Sequence, residues 1–213
     1  MRVKKTIAFK KLKQLQSRIR IVKGGTSASK TISILCWLID YAIRNEGKEI
    51  SVVAESIPAL RRGCVKDFLG ILKGLGRYKD NQFNKSTLKY TFTNSSYIEF
   101  FSTDQPDKLR GARRTDLYIN ECNNVPFDAY NQLAVRTSGT VWLDYNPSNI
   151  FWVDKELIGK EDTDYITLTY KDNNALSESI VKEIEKAKDK GKTSTYWANW
   201  WRVYGLGETG SLE

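Results

Sequence analysis

The chain has 213 residues, of which 40% are hydrophobic and 28% charged, so it can bury a core and is not predicted to be disordered. Its 34 lysines and arginines against 25 acidic residues give a net charge of +9, which attracts polyanions such as nucleic acids, although a merely solvated basic surface has the same composition. The lack of histidine excludes histidine-based acid–base catalysis, and three cysteines without CxxC spacing argue against a zinc site or a disulfide framework.

The chain begins with a basic segment, residues 1–5, and no apolar signal-peptide core follows it. Apolar runs such as 32–39 are far shorter than the ~20 residues of a membrane-spanning helix. We therefore expect a protein of the reducing cytoplasm without membrane association. The first twenty residues hold too few apolar positions to predict a helix.

The first predicted strand, residues 20–23, runs into a glycine pair. A helix with apolar residues at helical spacing is predicted from Lys30 to about Arg44, and a β-branched strand over 50–55. Pro58 begins a further helix, which Gly74 and Gly76 close.

Further along, residues 88–103 predict a hairpin, and apolar strands are predicted at 116–121, 140–144 and 165–170. Helical segments lie between several of these strands. The alternation predicts an α/β fold with a mainly parallel sheet flanked by helices.

A candidate phosphate-binding loop lies between the first strand and the first long helix. Small side chains let backbone N–H groups surround a phosphate, Lys30 can reach the terminal phosphates, and the Thr31 hydroxyl can ligate Mg²⁺. Ser29 stands where the GxxxxGK[ST] pattern has glycine, so a small-residue turn before an ordinary helix remains the alternative. The loop consists of Gly24, Gly25, Thr26, Ser27, Ala28, Ser29, Lys30 and Thr31.

Two later strands end in polar residues, at the sheet edge where ligands of α/β proteins bind. We assign Asn120 to the Mg²⁺ shell, where aspartate is usual, and Glu121 to orienting the attacking water; a helix cap with a surface glutamate is the alternative. Asn146, before Pro147, is a candidate sensor of the γ-phosphate or of the water.

The motifs in this order resemble the large subunit of tailed-phage terminases, in the branch whose acidic motif reads Asn-Glu. The resemblance extends from about residue 18 to 213 and rests on five segments: RIRIVKGGTSASKT, KLRGARRTDLYINECNNV, LDYNPSNIFWV, TYKDNN and WWRVYGLGETG. It implies an additional-strand, RecA-like P-loop ATPase that uses ATP and Mg²⁺ to translocate double-stranded DNA into a procapsid. It also implies partners: the portal protein, the small terminase subunit and a ring of its own copies, in the host cytoplasm and transiently docked on the procapsid.

The resemblance also carries residue roles. Lys30 and Thr31 match the loop lysine and hydroxyl, Glu121 the catalytic carboxylate, and Asn146 a motif that couples hydrolysis to movement. Arg110, before Gly111, matches an arginine that in some members of the family serves as a finger reaching a neighbouring subunit's nucleotide. Pairing of Arg110 with an acid such as Asp107 is the alternative, and two further arginines compete for the role: Arg113 and Arg114.

Adenine contacts are implied for the segment before the loop, where Gln16 is the candidate we name, with others left open: Gln14, Arg18 and Arg20. Residues 1–172 are expected to form the ATPase core. Residues 173–213 should form a helical lid and the start of a linker to a nuclease domain, which the resemblance leads us to expect outside these 213 residues.

The predicted lid contains a charged helix over 177–190 and three tryptophans that we expect to pack on the core: Trp197, Trp200 and Trp201. Candidate DNA-phosphate contacts follow the second strand or lie on the lid helix and just after it: Arg61, Arg62, Lys66, Lys186, Lys188, Lys190 and Lys192. A helicase-like ATPase and a nucleotide-binding assembly module with weakened catalysis are the alternative functions.

Overall fold

A computed structural model describes residues 6–210, except for the side chain of Pro106. Its centre is one eight-stranded sheet in the order β3-β4-β5-β2-β6-β7-β1-β8. The β3–β4 and β4–β5 pairs are antiparallel, whereas every other neighbouring pair is parallel. The strands are β1 (Ile19–Gly24), β2 (Glu49–Ala54), β3 (Phe83–Asn84), β4 (Lys89–Thr91), β5 (Tyr97–Ser102), β6 (Asp116–Ile119), β7 (Val141–Tyr145) and β8 (Thr163–Leu168).

Helices connect and cover these strands. In the described part of the chain, none has both the length and the apolar composition needed to cross a bilayer. The α-helices are α1 (Ile7–Leu12), α2 (Lys30–Arg44), α3 (Ile57–Leu60), α4 (Lys66–Gly74), α5 (Pro106–Arg110), α6 (Phe127–Ala134), α7 (Trp152–Glu156), α8 (Glu178–Lys190) and α9 (Thr195–Trp200). Two π-helical segments continue α3 and α9: Arg61–Val65 and Trp201–Gly205.

The sheet is buried on both faces, as expected when helices cross over between parallel strands. Val52 belongs to the core cluster that contains Leu38 and Phe68 from the covering helices. The next residue, Val53, points to the other face and belongs to the cluster that contains Leu133 and Val153. The α/β fold with a mainly parallel sheet is therefore as predicted.

Most predicted elements lie where the sequence indicates. Helix α2 has the predicted bounds, and the parallel strands agree within one or two residues. The elements that were not predicted include α1, which begins at the capping hydroxyl of Thr6, and the two-residue strand β3. In α1 only Ala8 and Leu12 are buried, so the apolar pattern is too short to be recognised.

The segment predicted as a lid begins after β8. Helices α8 and α9 and the segment Trp201–Gly205 pack against one another. Trp201 lies 6.1 Å from the ring of Tyr170 in the core, whereas Trp197 and Trp200 contact each other, with ring centroids 5.9 Å apart. The prediction of tryptophans packed on the core thus describes Trp201 best. The division of the chain at residue 172 stays a prediction.

Candidate functional site

The glycine-rich loop joins the carboxyl end of β1 to α2. Ser27 and Ser29 both have left-handed backbone conformations, with φ of 55° and 66°. Such a conformation costs a non-glycine residue about 1–2 kcal/mol. Ser29 therefore holds the backbone shape that favours glycine, and α2 begins with the next residue, Lys30.

Backbone atoms of other segments lie so close to residues 24 and 25 that only glycine fits at either position. A Cβ on Gly24 would lie 2.2 Å from the carbonyl oxygen of Leu168, and a Cβ on Gly25 would lie 2.1 Å from that of Tyr204. The next residue, Thr26, donates its backbone N–H to the same Tyr204 oxygen at 2.9 Å. The loop is thus held between the end of β8 and the segment Trp201–Gly205.

The ammonium group of Lys30 points into this loop. It donates to the carbonyl oxygens of Gly24 and Gly25, at 3.2 and 2.9 Å, and to Oδ1 of Asn146 at 2.6 Å. Burial lowers the pKa of Lys30, and the negative charges of Asp144 and Glu121 oppose that shift. Asn146, the candidate sensor, therefore lies directly beside the loop lysine.

Glu121 follows the end of β6 and also has a left-handed conformation, with φ of 50° and ψ of 53°. Its backbone N–H donates to Oδ1 of Asp144 at 3.0 Å, and Asn124 contacts its carboxylate at 3.5 Å. Partial desolvation and the nearby Asp144 raise the pKa of Glu121, while Lys30 acts in the opposite direction. A carboxylate with a raised pKa is a better proton acceptor, as a group that activates water needs to be.

Asp144 on β7 is a site residue that the sequence analysis missed. The residue is 1% exposed, and its carboxylate accepts from the side chains of Tyr118 and Asn120 at 3.1 and 3.0 Å. Its other oxygen lies 3.4 Å from the hydroxyl of Thr31. The sequence does contain a signal for Asp144, because an acidic residue near the end of an apolar strand is unusual in a core. The strand here reads Leu143-Asp144-Tyr145.

These groups line one cavity of about 340 Å³, within the size range of small-molecule sites. Four elements supply them: the loop, the start of α2, and the ends of β6 and β7. The candidate residues on its lining are Thr26, Ser27, Ala28, Ser29, Lys30, Thr31, Glu121, Asp144 and Asn146.

The donor set fits a magnesium ion bound mainly through phosphate oxygens and water. No cluster of three or more acidic, cysteine or histidine side chains that could cage a metal occurs among residues 6–210. Mg²⁺ with a nucleotide needs only one or two protein oxygens, and the Thr31 hydroxyl and the Asp144 carboxylate are hard oxygen donors of that kind. Asn120 turns its NH₂ group toward both, at 3.4 and 3.0 Å, and an N–H group cannot ligate a metal. The amide is therefore not oriented as a direct ligand, and the assignment of Asn120 to the magnesium shell stays a prediction.

The adenine candidates are not brought to this cavity. Gln16 precedes β1, whereas the loop follows it, and a six-residue strand separates the two ends by about 17–20 Å. The guanidinium of Arg20 lies 5.1 Å from the rings of both Trp37 and Trp142, and Arg18 bonds to backbone carbonyls near the end of α6. Gln16 lies at the amino-terminal end of the parallel strands, whereas the cavity lies at their carboxyl end. This placement corrects the assignment of Gln16 as an adenine contact.

The three finger candidates differ sharply in exposure. Arg114 is 3% exposed and donates to Ser51, Leu133 and Ala112, so it supports the fold and cannot reach a neighbouring subunit. Arg110, at the end of α5, and Arg113 are both exposed. Within residues 6–210, no ion pair joins Arg110 to an acid such as Asp107.

The family model of the phage terminase large subunit matches residues 16–208. The chain belongs to this family. The PBSX phage terminase large subunit of Bacillus subtilis (strain 168) is 26% identical over 194 residues, which cover 78% of this chain and 45% of that protein.

Solved structures of terminases confirm the RecA-like P-loop fold. The large terminase of a thermophilic bacteriophage superimposes with a TM-score of 0.74 at 20% identity, over 90% of this chain and 48% of its own. The same large terminase is also known in complex with ADP and with ATP-gamma-S, at TM-scores of 0.71 and 0.72. The large terminase ATPase domain of Thermus phage P74-26 gives 0.68 at 14% identity, covering 94% of this chain and 92% of that domain. The chain thus spans about half the length of the PBSX protein and of the terminase solved with nucleotides.

Proposed function

We propose that this chain hydrolyses ATP with Mg²⁺, and that hydrolysis drives double-stranded viral DNA into a procapsid. The observation that carries the proposal is the convergence on one cavity of Lys30, Thr31 and Glu121, three groups that phosphoryl transfer to water requires. The terminase family supports the packaging role, and the ADP and ATP-gamma-S complexes of the thermophilic bacteriophage terminase support ATP as the ligand.

Each group has a chemical task in this proposal. Backbone N–H groups of the loop and the start of α2 hold the phosphates, and Lys30 exchanges its carbonyl partners for phosphate oxygens. A bound Mg²⁺ would neutralise charge on the phosphates, next to the Thr31 hydroxyl and Asp144. Glu121 orients a water molecule toward the γ-phosphorus and accepts its proton, and Asn146 links that event to Lys30, its present partner.

The candidate DNA contacts form two groups, which differ in whether their charged side chains already have a partner. Arg61, Arg62 and Lys66 are exposed together after β2, partly on a π-helical segment, and can meet phosphates as a group. On α8 and just after it, Lys186 and Lys192 already pair with Glu183 and Asp189, and Lys190 lies 4.3 Å from the ring of Trp197. We therefore assign the DNA track to the first group. Action in a ring of copies on a portal, with a small subunit, in the host cytoplasm is part of the same proposal.

A Glu121→Gln variant tests the hydrolysis step. The amide keeps the size of the side chain but cannot accept the proton, so we expect kcat to fall about 10²–10⁴-fold. Binding of a non-hydrolysable ATP analogue should change little, because the phosphate-holding groups remain. Phosphate release with and without duplex DNA, together with calorimetric binding, measures both quantities.

Glu46→Gln is the matched control, since Glu46 is exposed beyond the far end of α2. Equal hydrolysis rates for wild type and Glu121→Gln would contradict the catalytic assignment and favour a nucleotide-binding assembly module. Strand separation on a forked duplex would favour the helicase-like alternative instead.

A further inference from the structure

The end of β6 lacks the acidic residue expected beside a nucleotide-bound Mg²⁺, because Asn120 occupies that position. We infer that Asp144, on the adjacent strand β7, supplies the carboxylate of the magnesium shell in its place. The inference deepens the proposed function and rests on it.

The orientation of the Asp144 carboxylate carries the argument. Its Oδ1 accepts three hydrogen bonds, from the hydroxyl of Tyr118, Nδ2 of Asn120 and the backbone N–H of Glu121, at 3.1, 3.0 and 3.0 Å. Three donors saturate that oxygen and prevent the group from rotating. Its Oδ2 faces the hydroxyl of Thr31 at 3.4 Å. In P-loop enzymes the side chain at the position of Thr31 contacts the nucleotide-bound magnesium.

The charge of the Asp144 carboxylate also favours a metal ion beside it. Asp144 is 1% exposed, and among residues 6–210 it has no lysine or arginine nitrogen within 4.0 Å. A buried carboxylate without a paired cation is costly, and a divalent ion between Thr31 and the phosphates would offset that cost.

The arrangement also gives Asn120 a task that an aspartate could not perform. Its NH₂ group donates to Asp144 and contacts Thr31, thereby holding the acid in place. Two carboxylates about 3 Å apart would repel each other, so an acid on β7 and an amide on β6 are complementary. Asn120 is therefore a positioning residue.

Metal affinity, not turnover, tests the inference. The Mn²⁺ affinity of the complex with a non-hydrolysable ATP analogue is measured by electron paramagnetic resonance, and analogue affinity without metal is measured by calorimetry in EDTA. We expect Asp144→Asn to weaken Mn²⁺ binding about tenfold or more, with metal-free analogue affinity within about threefold of wild type. Moving the acid to β6, in the double variant N120D/D144N, should restore part of the Mn²⁺ affinity.

Asp116→Asn is the matched control, since Asp116 is also 1% exposed and on β6, but at the opposite end, where it accepts from Thr140. It should leave Mn²⁺ affinity unchanged. Wild-type Mn²⁺ affinity in Asp144→Asn would overturn the inference. So would an equal loss of metal-free analogue binding, because Asp144 would then support the loop and not the metal.

Should Asp144→Asn fail to fold, anomalous scattering from Mn²⁺ in wild-type crystals decides. The inference requires the ion at about 2 Å from an Asp144 oxygen, or about 4–5 Å with one water between, and a more distant ion refutes it. Failure of the proposed function looks different: wild-type protein would then bind neither the analogue nor Mn²⁺.

Discussion

Gly25 is the loop residue whose replacement the structure makes most informative. A methyl group there would meet the Tyr204 carbonyl oxygen at 2.1 Å, a backbone atom that cannot rotate away. We expect Gly25→Ala to displace the segment Trp201–Gly205 from the loop and to destabilise the fold by about 1–3 kcal/mol. Nucleotide affinity should fall as well, because Thr26 bonds to the same oxygen. Chemical denaturation and calorimetric titration measure the two effects.

Gly70→Ala is the control for this substitution. Gly70 lies in α4, and a Cβ there has no neighbour within 4 Å. Replacing a helical glycine by alanine should stabilise the protein by about 0.5–1 kcal/mol. If Gly25→Ala behaved like Gly70→Ala, the contact between the loop and the segment Trp201–Gly205 would have no energetic role.

Residues with local signals were predictable, and residues that depend on a neighbouring strand were not. Lys30 and Thr31 follow from the spacing of one loop, and Glu121 from the end of one apolar strand. Asp144 becomes part of the site only because β7 pairs with β1 and β6, a register that no short motif encodes. Gln16 was assigned from the family resemblance and not from a pattern of its own, and β1 lies between it and the loop.

At the scale of elements, Asp164 on β8 fixes the entry of the chain into β1. Its carboxylate accepts the backbone N–H groups of Gln16 and Ser17, the latter at 2.7 Å. These bonds, first that of Ser17, hold the pKa of Asp164 below its ordinary value. A depressed pKa means that the carboxylate stabilises the fold above the ordinary value of about 3.9, and that this stabilisation is lost as the pH falls through the folded value.

We therefore expect Asp164→Asn to lower the Tm at pH 7. As the pH falls below about 4, the variant should lose less stability than the wild type, because it has no carboxylate at this position to protonate. The Tm difference between the two proteins should narrow in that range, which thermal unfolding from about pH 7 to about pH 3 would measure. Asp162→Asn serves as the control, since the carboxylate of Asp162 contacts the hydroxyl of its neighbour Thr163, at 3.4 Å, and lies on the exposed side of the turn before β8. A Tm difference that stays constant over the whole range would contradict the assignment.

Long elements with a regular apolar pattern were predicted well, because burial determines both the pattern and the structure. Helix α2 and the strands β1, β2, β6 and β7 are examples. The π-helical segment Arg61–Val65 could not be predicted, since one additional residue per turn leaves no trace in the apolar spacing of so short a stretch.

At the scale of the whole molecule, the arrangement of the arginines bears on how subunits cooperate. The buried Arg114 holds Ser51 and Leu133 in place, so Arg114→Ala should lower the Tm and reduce activity only through folding. Exposed Arg110 and Arg113 lie outside the cavity lining, so a role in hydrolysis requires them to act on a nucleotide elsewhere.

Mixing two inactive variants tests whether Arg110 acts on a neighbouring subunit. Arg110→Ala keeps Glu121 and Glu121→Gln keeps Arg110, so an Arg110→Ala subunit next to a Glu121→Gln subunit would regain one complete site. We expect each variant alone to be at least about 10²-fold slower than assembled wild type, and a mixture to recover a substantial fraction of the wild-type rate. Phosphate release is measured at protein concentrations where sedimentation detects assembly, since we expect monomers in dilute solution.

Arg113→Ala mixed with Glu121→Gln is the control. This mixture should hydrolyse ATP no faster than the Arg113→Ala variant does alone. A mixture as inactive as its components would mean that Arg110 does not complete a neighbouring subunit's site.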